Sequence, residues 1–82
     1  MEIEIRYEKD MNRSAAYDGE KRIGLCEYEI EDGKWVITHT ETDPAYGGRG
    51  IAKKLVMCVK EAADAADVTI IPVCSYAVKV LS

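Results

Sequence analysis

The sequence predicts an α/β (α+β) domain in which antiparallel strands lead into a strand, helix, strand unit. Three observations carry that prediction. Apolar and polar residues alternate through the first half of the chain, two Asp-Gly pairs interrupt the alternation at hairpin spacing, and one long helical period then precedes a short apolar run. With 82 residues, 48% apolar and 32% charged, the chain is expected to form one small globular domain over 1–82. So small a core is expected to lean on a ligand or on weak self-association, so a monomer or weak homodimer is expected.

Ile3, Ile5 and Tyr7 alternate with Glu2, Glu4 and Arg6 and predict a half-buried first strand. Lys9 to Arg13 is polar and irregular and reads as a loop. Ser14 to Tyr17 extends again, and Asp18-Gly19 before Glu20 marks a hairpin turn. From Lys21 to Ile30 the apolar set Ile23, Leu25, then Tyr28, Ile30 changes phase near Cys26, which predicts a bulge there. Asp32-Gly33 makes a second turn.

Trp35 to Thr42, WVITHTET, is dominated by β-branched and aromatic residues and is the most strongly marked strand. Period-two geometry puts Trp35, Ile37, His39 and Glu41 on one face and Val36, Thr38, Thr40 and Thr42 on the other. A helix is expected from about Arg49 to Ala66, with Ile51, Leu55, Val59, Ala62 and Ala66 as its core stripe. Val68 to Cys74 reads as a strand buried on both faces, with Pro72 marking a place where ladder pairing stops. Ser75 to Leu81 predicts a short final helix with Ser75 as its N-cap. That order requires a right-handed parallel crossover.

A net charge of -4 argues against a bulk electrostatic grip on nucleic acid or an anionic membrane. Cys26, Cys58 and Cys74 form no CxxC pair and have only His39 for company, so neither a metal site nor a disulfide framework is expected. The chain opens without a basic, apolar leader or a long apolar run, and a cytoplasmic protein is expected.

The stretch Asp43 to Leu55, DPAYGGRGIAKKL, is the strongest chemical signal. Gly47, Gly48 and Gly50 sit at the helix start and leave backbone N–H groups unobstructed, which suits an anion; glycines there also suit a plain tight turn. Arg49, Lys53 and Lys54 crowd the same turn, where the helix dipole prefers acids, and an anionic ligand reverses that penalty. Glu61 and Asp64 near the other end also have the wrong sign, so a merely solvated charged surface fits as well.

With these residues in view, the chain resembles the GNAT acetyltransferase superfamily, and within it the small single-domain branch. The superfamily's phosphate-binding signature is Gln or Arg, two residues, Gly, one residue, then Gly or Ala. Gly47 stands at its first position in place of Gln or Arg, and Gly50 and Ala52 fall on the last two. The segments His39 to Thr42, Gly50 to Val56 and Pro72 to Ala77 resemble the branch in order and spacing. The resemblance implies a reduced GNAT fold and acetyl-coenzyme A as cosubstrate. It implies a cofactor site of Thr40, Thr42, Gly47, Gly48, Arg49, Gly50, Ile51, Ala52, Lys53 and Lys54, with the pyrophosphate on the loop amides and the pantetheine arm between splayed strands. The two N-terminal helices that build the acceptor pocket in larger members have no room between Tyr7 and Ser14.

Four residues are candidates for the chemistry. Glu41 closes the central strand and can serve as general base, or is a solvated strand-end acid. His39, on the same face, is a competing base or a structural histidine. Cys74 precedes a helix, which favours a thiolate, and matches the branch's cysteine; a buried inert thiol is its alternative. Tyr76 lies near the tyrosine that protonates the departing coenzyme A thiolate in many GNAT enzymes, or is a ring closing the core. The expected function is acetyl transfer to an amine. A coenzyme A binding or sensing module without acceptor chemistry, and a small interaction domain, are the alternatives.

Overall fold

A computed structural model describes residues 3–81, so Glu2 of the first alternating run lies outside the described residues. Strands β1 (Ile3–Glu8), β2 (Arg13–Asp18), β3 (Lys21–Glu31), β4 (Lys34–Thr42) and β5 (Ile70–Pro72) form one sheet in that spatial order. Strands β1 to β4 pair antiparallel with their neighbours, and β5 runs parallel to β4. Helix α1 (Ile51–Ala65) makes the crossover between β4 and β5, and α2 (Ser75–Leu81) follows. The expected strand order and class are those observed.

Both hairpins sit where the Asp-Gly pairs placed them. Asp32 and Gly33 have φ of 52° and 75°, the all-positive pair of a type I′ turn, whose twist matches that of the flanking strands. The polar run after β1 folds as a short 3-10 turn, Lys9–Met11, closed by Asn12 in the left-handed conformation.

The face assignment of β4 is corrected by the structure. Cys26 pairs with Thr40 and Glu27 with His39, but Tyr28 pairs with Ile37, so Thr38 is an extra residue with no partner on β3. An unpaired residue reverses the alternation beyond it. Trp35 and Ile37 face the core, and past the bulge Thr40 turns inward, where its hydroxyl meets Cys26 of the core cluster. His39 and Glu41 are consequently thrown to the opposite, solvent face. The phase change expected on β3 near Cys26 is this same bulge, carried by its partner strand; a second register shift falls between Ala16 and Tyr17.

Helix α1 begins two residues later than Arg49, because Gly50 adopts a φ of 70° and cannot belong to a right-handed helix. Its buried stripe is Ile51, Leu55, Val56, Val59 and Ala63. Ala62 is only half-buried and Ala66 is exposed, because the helix ends at Ala65 and Ala66 is its cap. Among the described residues Ser14 is the buried polar one, and its hydroxyl donates to the Leu55 carbonyl at 2.7 Å, tying β2 to α1.

Strand β5 is the second correction. It has three residues, lies at the sheet edge and leaves Ile71 exposed, so it is not buried on both faces. Proline at position 72 is tolerated because an edge strand has one flank without a ladder.

Gly24 lies beneath α1 on β3. A Cβ there would stand 3.0 Å from the Glu41 carbonyl oxygen and 3.1 Å from Cδ1 of Leu55. Gly24→Ala is therefore expected to destabilise the chain by about 1–3 kcal/mol through overpacking. Urea denaturation reads this directly, and an unchanged midpoint would contradict the packing described.

Candidate active site

The β4 strand outruns its parallel partner. The N–H groups of Val73 and Cys74 both donate to the Ile37 carbonyl at 3.0 Å, the last β4–β5 pair is Ile37 with Pro72, and the chain then turns into α2. Thr38 to Thr42 thus continue without β5 beside them, leaving an open wedge. Its mouth is the loop between β4 and α1.

That loop is built in two steps. Asp43 accepts from the Ala45 N–H at 2.9 Å and starts a 3-10 turn, Pro44–Tyr46. Tyr46 donates its hydroxyl to Asp18 at 2.5 Å, which anchors the turn to the end of β2, and the Arg49 guanidinium lies 5.9 Å from the Tyr46 ring centroid. Gly48 and Gly50 then take φ of 78° and 70°, whereas Gly47 is extended. Only the first two need glycine for backbone reasons.

The helix that follows starts without a side-chain cap, and its first turn contains no acid. The first intrahelical donor is Lys54, to the Gly50 carbonyl. The N–H groups of Ile51, Ala52 and Lys53 therefore face outward at the positive end of the dipole. A Cβ on Gly48 or Gly50 would meet nothing within 4 Å, so the space in front of the loop is free for a ligand. Arg49, Lys53 and Lys54 are exposed around it.

A cleft of about 270 Å³ joins Thr42, Tyr46, Gly47, Gly48, Gly50, Ile51, Ala52 and Tyr76. Tyr76 from α2 thus shares a wall with the glycine loop. Thr42 contributes a further signal: its Oγ1 is buried and has no hydrogen-bond partner. Such orphans are rare, and one in a cleft wall calls for a partner from outside the chain.

Cys74 sits at the apex of the wedge. Burial would raise its thiol, but N–H donors of Ala77 and Tyr76 at the start of α2, with the hydroxyl and N–H of Thr40, outweigh burial and hold it below the ordinary thiol value. The other cysteines behave differently. Burial pushes Cys26 up to about 11 and also raises Cys58.

His39 and Glu41 hydrogen-bond to each other at 3.1 Å on the solvent face, and this bond raises the imidazole pKa. They are brought together but lie on the far side of β4 from the cleft. Glu41 also borders a second depression, of about 390 Å³, with Arg22, Gly24, Thr42 and Asp43. Thr42 lines both hollows, so it is the wall between them. Among the described residues no cluster of His, Cys, Asp and Glu could hold a metal, and no helix is long and apolar enough to cross a membrane.

Reading the sequence alone misses the Asp43 cap, the Tyr46–Asp18 anchor and the orphaned Thr42 hydroxyl. Asp43-Pro44 is the one local signal available, as an acceptor followed by a proline at the first turn.

Comparison with known proteins follows the same lines. The family model described as GCN5-related N-acetyl-transferase matches residues 12–82. A solution structure from Staphylococcus aureus, assigned as a GCN5-like N-acetyltransferase, is 30% identical with a TM-score of 0.72, over 95% of this chain and 76% of that one. Two crystal structures share the fold at 19% identity. One is an acetyltransferase of Trypanosoma brucei (TM-score 0.61, 82% of this chain, 56% of that one). The other, assigned as an acetyltransferase of Clostridium acetobutylicum and solved with acetyl-CoA, has a TM-score of 0.63 over 83% of this chain and 52% of that one. The chain thus spans about half the length of these two proteins. No curated protein matches. From residue 12 onward the sequence, and throughout the described residues the fold, lead to one assignment: the chain belongs to the GCN5-related N-acetyltransferase family.

Proposed function

We propose that the chain transfers an acetyl group from acetyl-coenzyme A to an amine, with the cosubstrate held in the wedge between β4 and β5. The observation that carries this reading is the uncapped start of α1, where outward N–H groups, two left-handed glycines and three exposed cations meet the mouth of the open wedge. The pyrophosphate lies on Gly47, Gly48, Arg49, Gly50, Ile51 and Ala52, with Lys53 and Lys54 adding charge. The pantetheine arm follows Thr40 and Thr42, whose orphaned hydroxyl finds its partner there. The structure of the Clostridium protein, solved with acetyl-CoA, supports the same ligand here.

The thioester supplies the activated acetyl group. An amine acceptor must lose a proton, and Glu41 with His39 is the pair that can take it, from the solvent face and the depression that Glu41 borders. Tyr76, in the cleft wall, is placed to return a proton to the coenzyme A thiolate. No metal takes part, and neither nucleic acid nor a membrane is a partner in this reading. The site works in the cytoplasm, in a single domain that is a monomer or weak homodimer.

The lowered Cys74 thiol favours a covalent variant. In it the thiolate attacks the thioester carbonyl, the bond to the coenzyme A sulfur breaks, and the amine later displaces Cys74 from the acetyl group. Incubation with acetyl-coenzyme A and a panel of amines, followed by release of free coenzyme A thiol, tests the transfer. Mass spectrometry after rapid quenching is expected to find acetyl on Cys74 if the covalent route operates; turnover with Cys74 never modified contradicts that route.

A second reading is a coenzyme A binding module. It is favoured by the exposed setting of His39 and Glu41, which no described element encloses. In that case Glu41→Gln and Cys74→Ala leave both ligand affinity and biological activity intact.

A further inference from the structure

The depression that Glu41 borders brings opposite charges together without joining them. Arg22, Glu41 and Asp43 all line this cavity of about 390 Å³, where β3 and β4 approach the glycine loop. Arg22 lies opposite Tyr17 of β2, Glu41 lies opposite Leu25 of β3, and both side chains are exposed. Arg22 and Leu25 are three residues apart on β3, so the register holds the two charges at most about 10 Å apart at the backbone.

Each neighbouring carboxylate is already committed elsewhere. One oxygen of Asp43 accepts from the Ala45 N–H at 2.9 Å, and the other lies 3.9 Å from Lys21. Glu41 is held by His39 at 3.1 Å. On its other flank Arg22 bears on Glu8, whose two oxygens take Arg13 and Tyr17. Among the described residues no hydrogen bond or ion pair holds the Arg22 guanidinium. A guanidinium at a cavity wall with its donors uncommitted is available to a ligand anion.

We propose that this depression binds the acceptor as an amino-carboxylate, a primary amine whose ammonium lies at Glu41 and whose carboxylate, several atoms away, is taken by Arg22. This deepens the transferase reading and rests on it for the identity of the acceptor. The planar fork of Arg22 matches a carboxylate with two parallel hydrogen bonds, which a methyl or ammonium end cannot accept. An ω-amino acid spans the gap, with Pro44 as an apolar wall for its methylenes. Glycine holds its two charges too close together to do so.

Thr42 separates the depression from the coenzyme A cleft, and Glu41 stands beside it, so the amine end is the one delivered to the thioester. There the ammonium gives one proton to the Glu41–His39 pair, its nitrogen bonds to the acetyl carbon, and the carbon–sulfur bond breaks. A second proton leaves the nitrogen and ends on the coenzyme A sulfur. Arg22 touches no reacting atom; it sets specificity.

Three amines of one length separate the charges: 6-aminohexanoate, hexylamine and 1,6-diaminohexane. Each is titrated into the ¹⁵N-labelled protein with coenzyme A present, and binding is read from the backbone amides of Ile23, Gly24 and Glu41, with no acetyl group required. The wild-type protein is expected to bind 6-aminohexanoate about 3- to 10-fold more tightly than hexylamine. Arg22→Gln should abolish that preference, Arg22→Lys should keep part of it, and Arg22→Glu should turn it toward 1,6-diaminohexane. Arg22 is exposed, so these variants keep the fold. Equal affinities for the three amines, a preference that Arg22→Gln leaves unchanged, or no binding of 6-aminohexanoate at all would overturn the inference. Selective binding without release of coenzyme A from acetyl-coenzyme A would support the amino-carboxylate site and count against the transferase alone.

Discussion

Leu55→Ala is expected to cost the fold about 3–5 kcal/mol and to leave little native protein at 37 °C. Leu55 is fully buried on the face of α1 that lies over the sheet, where its Cδ1 approaches Gly24 and its carbonyl holds the Ser14 hydroxyl. Removing its branched end creates a cavity walled by strand backbone that cannot readily collapse, which places the cost in the upper part of the usual range. A domain this small has a total stability of only roughly 4–12 kcal/mol. The melting midpoint should therefore fall by on the order of 15–30 °C. Leu55→Met keeps the volume and should cost less than about 1.5 kcal/mol. A loss below about 1 kcal/mol for the alanine variant would show that α1 does not seat on β2 and β3 as described.

Gly50→Val is expected to weaken coenzyme A binding by about 100-fold or more. Two effects combine. A β-branched residue at a φ of 70° is strained, by about 1–3 kcal/mol, and relieving the strain turns the first N–H groups of α1 away from the cleft. In addition, nothing of the chain lies within 4 Å of the added Cβ, so the valine methyls project into the space assigned to the pyrophosphate. Gly33→Val separates strain from blockage. Gly33 has a φ of 75° and an equally open Cβ position, but in the β3–β4 hairpin. It should lower stability while leaving affinity unchanged, as isothermal titration of both variants can show. Equal affinities for wild type, Gly50→Val and Gly33→Val would remove the loop from the binding site.

What the sequence discloses and conceals follows the range of the interactions. The turns at Asp18-Gly19 and Asp32-Gly33 are local, and their residue types state their backbone needs. The glycine loop is legible for the same reason. The bulge at Thr38 is not: threonine, histidine and glutamate tolerate either face of a strand, and the register comes from pairing Cys26 with Thr40 and Tyr28 with Ile37. Period-two reasoning therefore placed His39 and Glu41 with Trp35 and Ile37, on the wrong side of β4. Strand β5 misleads differently. An apolar run such as VTIIPVC resembles a central strand, but the crossover delivers it to the sheet edge, where α2 and the core cover only part of it. The setting of Cys74 was legible only as a cysteine before a helix.

The start of α1 is expected to bind coenzyme A, and a thermal melt of the wild-type protein with and without it is the most direct test. Ligand at about a hundredfold its dissociation constant adds roughly 2.7 kcal/mol to the stability of the bound form. For a domain of this size the midpoint should rise by on the order of 10 °C or more, and acetyl-coenzyme A should act similarly. No rise at millimolar ligand would contradict both the transferase and the binding module, and would leave the glycine loop as no more than a turn.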